Sequence, residues 1–161
     1  MNIVVCMKQV PDTAVERTLT GEGTLDRASL DGLINELDEY AIEEGLKIAE
    51  AHGGEVTILS MGPAKASDSI RKALSMGADK AVHVTDDGLA GSDALATSAA
   101  LAAALRQVGF DLVILGSEST DARTGVEDFA ARPPRAAGVV VKDEGDGGAR
   151  AAGFLAERKF I

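Results

Sequence analysis

A chain of 161 residues with a formal net charge of −10 is long enough for one domain with a real core and too short for two comfortable ones. Its acidic field repels polyanions, so nucleic acid and anionic membrane surfaces are poor partners. Aromatic residues make up only 3%, with no Trp. The core is therefore expected to be Ala, Val, Leu and Ile, and a base-stacking single-strand surface is excluded.

The one cysteine, Cys6, allows no intramolecular disulfide and implies no oxidising compartment. No apolar run reaches bilayer length, so no membrane insertion is expected. The start MNIVVCMKQV has no basic leader ahead of a longer apolar segment, which points to a cytoplasmic location. Small anionic ligands stay possible, because backbone N–H groups at a helix start hold phosphate whatever the global charge.

The run Ile3-Val4-Val5-Cys6-Met7 is continuous and rich in β-branched residues, as in a strand buried on both faces. Residues 11–30 are polar and contain Pro11, Gly21 and Gly23. They read as a long loop with a small hairpin around residues 21–23, and loops of that length usually serve function or a partner contact. Residues 35–51 place Leu37, Ala41, Leu46, Ile48 and Ala49 on one stripe, an amphipathic helix stopped by Gly53-Gly54. Residues 56–61 form a second buried strand. Pro63 opens a helix over 64–76 that ends at Gly77, and residues 80–84 are a third strand. Ser92 and Asp93 can cap an Ala-rich helix to about residue 108, and residues 111–115 are a fourth strand.

This alternation argues for an α/β fold: a Rossmann-like open parallel sheet with helices on both faces and right-handed crossovers. After Gly116 the alternation stops. Residues 126–131 start a helix that Pro133-Pro134 cuts short, KDEGDGG at 142–148 is a linker by composition, and residues 149–159 close the chain as a short amphipathic helix. The expected organisation is an incomplete α/β domain over 1–131 and a linker with a helical arm over 132–161.

Ligands of such sheets bind beyond the carboxyl ends of the strands, which selects residues 6–9, 60–63 and 116–126. The last segment, GSESTDARTGV, offers hydroxyls and N–H groups of the kind that hold phosphate, although a solvated loop with a helix cap is the plainer reading. A P-loop, a GxGxxG fingerprint and a GxSxG elbow are all missing. His52 and His83 have no Cys or His at metal spacing. Cys6 reads as a small buried strand residue rather than a nucleophile. Asp38, Glu39, Glu43 and Glu44 read as the solvated face of their helix. No covalent or acid–base mechanism emerges.

Four separated motifs nevertheless stand in a recognisable order: IVVCMKQVPDT, NELDEYAIEE, the stretch from Ser60-Met61-Gly62-Pro63 through IRKALSMGADKAVHV, and DLVILGSESTD with Thr124-Gly125. Together they resemble the beta subunits of electron transfer flavoproteins, including the FixA type. The segment PPRAAGV and the closing helix resemble that family's C-terminal arm, which reaches over the alpha subunit. The family's further sheet strands, and the recognition loop with an NEPR-like motif that docks dehydrogenases, have no counterpart between Val126 and Arg132.

The resemblance implies a non-enzymatic electron carrier that takes electrons from dehydrogenases toward the respiratory chain. Its alpha subunit partner holds the redox-active FAD, and the beta subunit holds AMP, or a second FAD in electron-bifurcating types. Carried over by motif, Cys6 lies near the adenine, Asn35 and Glu39 line the nucleotide pocket, Met61 follows the second strand, and Asp121, Thr124, Gly125 and Val126 belong to the phosphate loop. Three alternatives stay open: a stand-alone adenine-nucleotide binder of universal-stress type, a shortened product with impaired function, and an ATP-pyrophosphatase relative. The last carries an SGGxDS-like loop where this chain has Lys8-Gln9-Val10-Pro11-Asp12.

Overall fold

The computed structural model describes residues 1–16, 18–21, 25–27 and 29–122, all within one compact unit spanning Met1–Glu127. Four parallel strands make the main sheet: β1 (Asn2–Cys6), β4 (Glu55–Met61), β5 (Lys80–Val84) and β6 (Leu112–Leu115), in the order β5-β4-β1-β6. Between β1 and β4 in sequence lie two short strands, β2 (Gln9–Pro11) and β3 (Gly32–Ile34), which pair antiparallel with each other. Helix α1 (Glu36–His52) precedes β4, α2 (Ser67–Ser75) precedes β5, and α3 (Ala94–Val108) precedes β6.

The strands form where apolar runs are continuous, because the sheet is covered on both faces. Ile3, Val5, Val56 and Ile58 face α1 and α2, where Ala41, Ile42, Ile70 and Ala73 complete a core. Val4, Cys6 and Leu59 face the other way and pack with Leu101, Ala104, Leu105 and Val108 of α3. Burying each Ile, Val or Leu of this kind contributes about 1.5–3 kcal/mol, so the inner strands β1 and β4 anchor the domain. Gly45 lets α1 sit close to β1: a Cβ there would meet Val5 Cγ2 at 2.9 Å.

The expected α/β architecture with helices on both faces is thus observed. Pro63, at φ −65°, precedes a 3-10 turn over Ala64–Ala66 that leads into α2, so the first turn expected of that helix is wound more tightly. Asp93 caps α3 by accepting the Ala96 N–H at 2.8 Å, whereas the Ser92 hydroxyl donates to Leu89 C=O instead. The small hairpin in the long loop is supported by an antiparallel bridge between Leu19 and Leu25 and by the Asp26 N–H donating to Thr18 C=O.

The β2–β3 pair was not expected from the sequence. Each strand has three residues, Pro11 interrupts the pattern, and their pairing spans twenty intervening positions. The solvated-face reading of the acidic run is corrected at Asp38, which is buried. Asp38 shares its helical stripe with Ala41, Ile42 and Gly45, at the i, i+3, i+4 and i+7 spacing that faces the sheet. Glu43 and Glu44 are exposed as expected and flank Lys47. The domain boundary at 131/132, the short helix at 126–131, the linker at 142–148 and the closing helix at 149–159 lie outside the described residues.

Candidate functional site

From β1 the chain builds outward through α1, β4, α2 and β5, then returns through α3 to place β6 on the other side of β1. The direction of winding reverses between β1 and β6, so a crevice at their carboxyl ends is where ligands of open α/β sheets bind. Cys6 and Leu115 are register partners at that end. The residues that follow them, 7–9 and 116–122, form the rim.

Asn35, at the entry to α1, holds the rim together. Its own N–H donates to Lys8 C=O at 3.0 Å. Its side chain does not cap the helix; instead Nδ2 donates to Glu118 C=O at 2.9 Å and Oδ1 accepts the Thr120 N–H at 3.0 Å. At 1% exposure the amide thus replaces water for two backbone groups of the loop, much as a neighbouring strand would.

One turn further along α1, Asp38 ties the same two segments from below. Its Oδ2 accepts the Lys8 N–H at 2.8 Å, and Asn35 and the Gly116 backbone N–H act electrostatically to lower its pKa. Burial raises its pKa above the usual carboxylate value, against the lowering effect of those groups and of the Lys8 charge. Glycine is required at position 116, since a Cβ there would overlap Asp38 Oδ1 and crowd the Leu37 backbone. Burial, and secondarily the Asp38 charge, push the Cys6 thiol up to about 11.

The outer part of the rim carries charge. Asp121 has a fully buried side chain whose Oδ1 meets Lys8 Nζ at 2.8 Å and whose Oδ2 meets Arg27 Nη2 at 2.6 Å. Lys8 Nζ also donates to Ser119 Oγ at 3.2 Å. Burial by itself would raise the Asp121 carboxyl, but the hydrogen bonds from Lys8, Arg27 and Ser119, with the Lys8 charge, outweigh it and bring the pKa down to about 2.

The residues expected at the site fall into three groups. Asn35 and Asp121 converge on the loop after β6. Glu39 instead pairs with Lys72 of α2 at 2.6 Å, Met61 ends β4 opposite Val84 of β5, and Cys6 is buried on the α3 side of the sheet. Thr124, Gly125 and Val126 lie outside the described residues. Lys8 fell within a segment that the sequence selected. Asp38 and Arg27 were missed: the phase of Asp38 with Ala41 and Gly45 was a usable signal, whereas nothing local marks Arg27.

Among the described residues no cluster of His, Cys, Asp and Glu is arranged to hold a metal ion, and no helix is long and apolar enough to cross a membrane. His83 Nε2 lies 3.0 Å from Gly62 C=O.

A model of the electron transfer flavoprotein domain matches residues 22–133. The chain belongs to the electron transfer flavoprotein family. Its curated relatives place it on the beta-subunit side. It is 54% identical over 132 residues to the electron transfer flavoprotein subunit beta of Mycobacterium leprae, covering 78% of this chain and 50% of the relative. It is 48% identical over 129 residues to protein FixA of Azorhizobium caulinodans, covering 77% and 46%. To the electron transfer flavoprotein subunit beta of Clostridium acetobutylicum it is 45% identical over 124 residues, covering 77% and 48%. The chain spans about half the length of these relatives.

Proposed function

We propose that this chain supplies the nucleotide-binding part of an electron transfer flavoprotein beta subunit. The observation that carries the reading is the double hydrogen bond from Asn35 to the loop after β6. It fixes backbone groups of that loop at the strand ends where the sheet's winding reverses, and such fixed dipoles suit an anionic ligand. The ligand is AMP, or a second FAD in electron-bifurcating relatives, with the phosphate loop continuing through Thr124, Gly125 and Val126. The donor chemistry fits a phosphate: Ser119 contributes a hydroxyl, and Lys8 and Arg27 bring cations to the same rim.

In this role the chain is a cytoplasmic carrier subunit rather than an enzyme. The redox chemistry is supplied by FAD on an alpha subunit, and electrons pass from dehydrogenases toward the respiratory chain. The beta chain orders the nucleotide and stabilises the heterodimer. A shallow apolar surface along α1 and the outer strand β6, with Tyr40 and Leu115 largely exposed, is consistent with a partner there. Co-expression with an electron transfer flavoprotein alpha subunit tests the pairing. Co-elution on gel filtration supports it, and separate elution of two apo proteins sinks it.

A second reading, a stand-alone adenine-nucleotide binder, is favoured by one observation. The network of Asn35, Asp38, Lys8 and Asp121 is closed within a single chain and needs no partner residue. A nucleotide-loaded homodimer in the presence of excess alpha subunit would select this alternative.

A further inference from the structure

The two outer strands of the main sheet differ. Strand β5 carries Lys80, paired with Glu55, and His83, and a charged side chain is one way an edge is kept from adding strands. Strand β6 reads Leu-Val-Ile-Leu, without charge, proline or glycine, and among the described residues its outer side pairs with no strand. Its register partners Ile3, Val4 and Val5 are buried, whereas Leu112, Val113 and Ile114 are half-buried and Leu115 is exposed. We propose that this edge is a self-association surface: β6 pairs antiparallel with β6 of a second copy, joining two sheets into one. The inference does not depend on nucleotide binding, and the alpha subunit proposed above would compete for the same surface.

Self-complementarity selects a second copy as the occupant. A two-fold axis normal to the sheet through Val113 sets Val113 against its own counterpart, Leu112 against Ile114, and Phe110 against Gly116. Leu112 and Ile114 both pack on the α1 side of the sheet, so this register keeps each face apolar. Asp38 leaves no room for a Cβ at Gly116, whose bare backbone borders a groove of about 300 Å³ lined by Leu37, Tyr40, Ile114 and Leu115. Phe110 is exposed, as is Tyr40. The partner copy's Phe110 suits that gap, since an aromatic ring across from a strand glycine covers the exposed backbone. Each copy thus offers both the ring and the groove, as a two-fold interface requires.

Charge points the same way. Residues 112–117 are uncharged, and Asp111, whose carboxylate accepts the Asn2 N–H at 2.7 Å, falls opposite Leu115. Closing the edge therefore sets no like charges against each other. Glu44 is the one charged residue lining the groove, and Lys47 holds it at 3.0 Å. The net charge of −10 opposes association at long range, and salt screens that repulsion. Pairing with a second copy should strengthen as salt rises, the reverse of what a basic partner on this surface would show.

The test is sedimentation equilibrium of the full chain, without nucleotide or alpha subunit. The expected result is a monomer–dimer equilibrium with a Kd on the order of 10 µM, because a short strand pair makes an interface at the small end of the specific range. Phe110→Ala should weaken it about tenfold, as loss of an aromatic anchor does. In a Cys6→Ser background, Val113→Cys should give a disulfide-linked dimer on mild oxidation, because opposed strand residues lie about 5 Å apart. Ile114→Cys, about 8 Å from its own counterpart in this register, should not. A chain that stays monomeric up to about 500 µM overturns the inference. So does association that weakens as salt rises, or a dimer in which both cysteine variants, or neither, cross-link.

Discussion

Asn35 Oδ1 accepts the backbone N–H of Thr120 at 3.0 Å across 85 positions of sequence. With the companion bond from Nδ2 to Glu118 C=O and the Asn35 backbone N–H donating to Lys8 C=O, one buried residue links the rim segments after β1 and β6. Among the described residues, those after β6 pair with no strand, so the shape of that segment depends on this side chain.

Asn35→Ala should therefore leave a buried donor and a buried acceptor unsatisfied. The expected cost is about 1–3 kcal/mol per group, and nucleotide affinity should fall with it. Urea unfolding measures the first effect and AMP titration the second. A variant with unaltered stability would show that the loop does not depend on the amide.

The acid limb of stability should report Asp121. Its folded pKa is lowered to about 2 from 3.8, so its contribution is complete above about pH 4 and is lost as pH falls toward 2. Asp38 acts in the opposite sense. Its pKa is raised by burial, so the folded state takes up that proton before the unfolded chain does, and the group gains stability as pH falls through its folded value. The stability gap between the unaltered chain and Asp121→Asn, followed by urea unfolding, should be widest at neutral pH and close between about pH 4 and pH 2. A gap that stays constant down to pH 2 would contradict the ion-paired arrangement.

Gly116→Ala should disrupt the site by steric means alone. The new Cβ overlaps Asp38 Oδ1 and crowds Leu37, and overpacking of this kind costs about 1–3 kcal/mol. Gly21→Ala, where a Cβ meets nothing within 4 Å, is the matched control. Equal melting temperatures for the two variants would refute the close approach of β6 to α1.

Cys6 offers a clean probe of the buried strand end, since it is the chain's one cysteine. With its pKa pushed up to about 11, the thiol should resist a disulfide reagent at pH 8 in the folded state and react fully in denaturant, because the thiolate is the reactive form. Rapid labelling of the folded chain would place Cys6 at an accessible surface.

The four parallel strands were legible because a sheet covered on both faces demands continuous apolar runs, as in Ile3-Val4-Val5 and the buried positions Val56, Ile58 and Leu59. The helices were legible from their caps and stops, Asp93 and Gly53 among them. What escaped was tertiary. The β2–β3 strands are too short to show a period, and Asp38 looks like its exposed neighbours until the helix is phased against the sheet. Arg27 sits in a polar loop where any cation looks solvated, and only the fold brings it to Asp121. At the candidate site, Asn35 and Asp121 were singled out by family motifs. Their physical connection, one clamping the loop that carries the other, became visible only in three dimensions.

The most direct test of the nucleotide-binding assignment is native mass spectrometry of the purified full chain, alone and with an alpha subunit, beside the Asn35→Ala variant. The expected result is an added mass of AMP or FAD on the unaltered chain or its heterodimer, and loss of that mass in the variant. An unaltered chain that carries no nucleotide under either condition, or a variant that retains it in full, would contradict the assignment of the crevice between β1 and β6 as the nucleotide site.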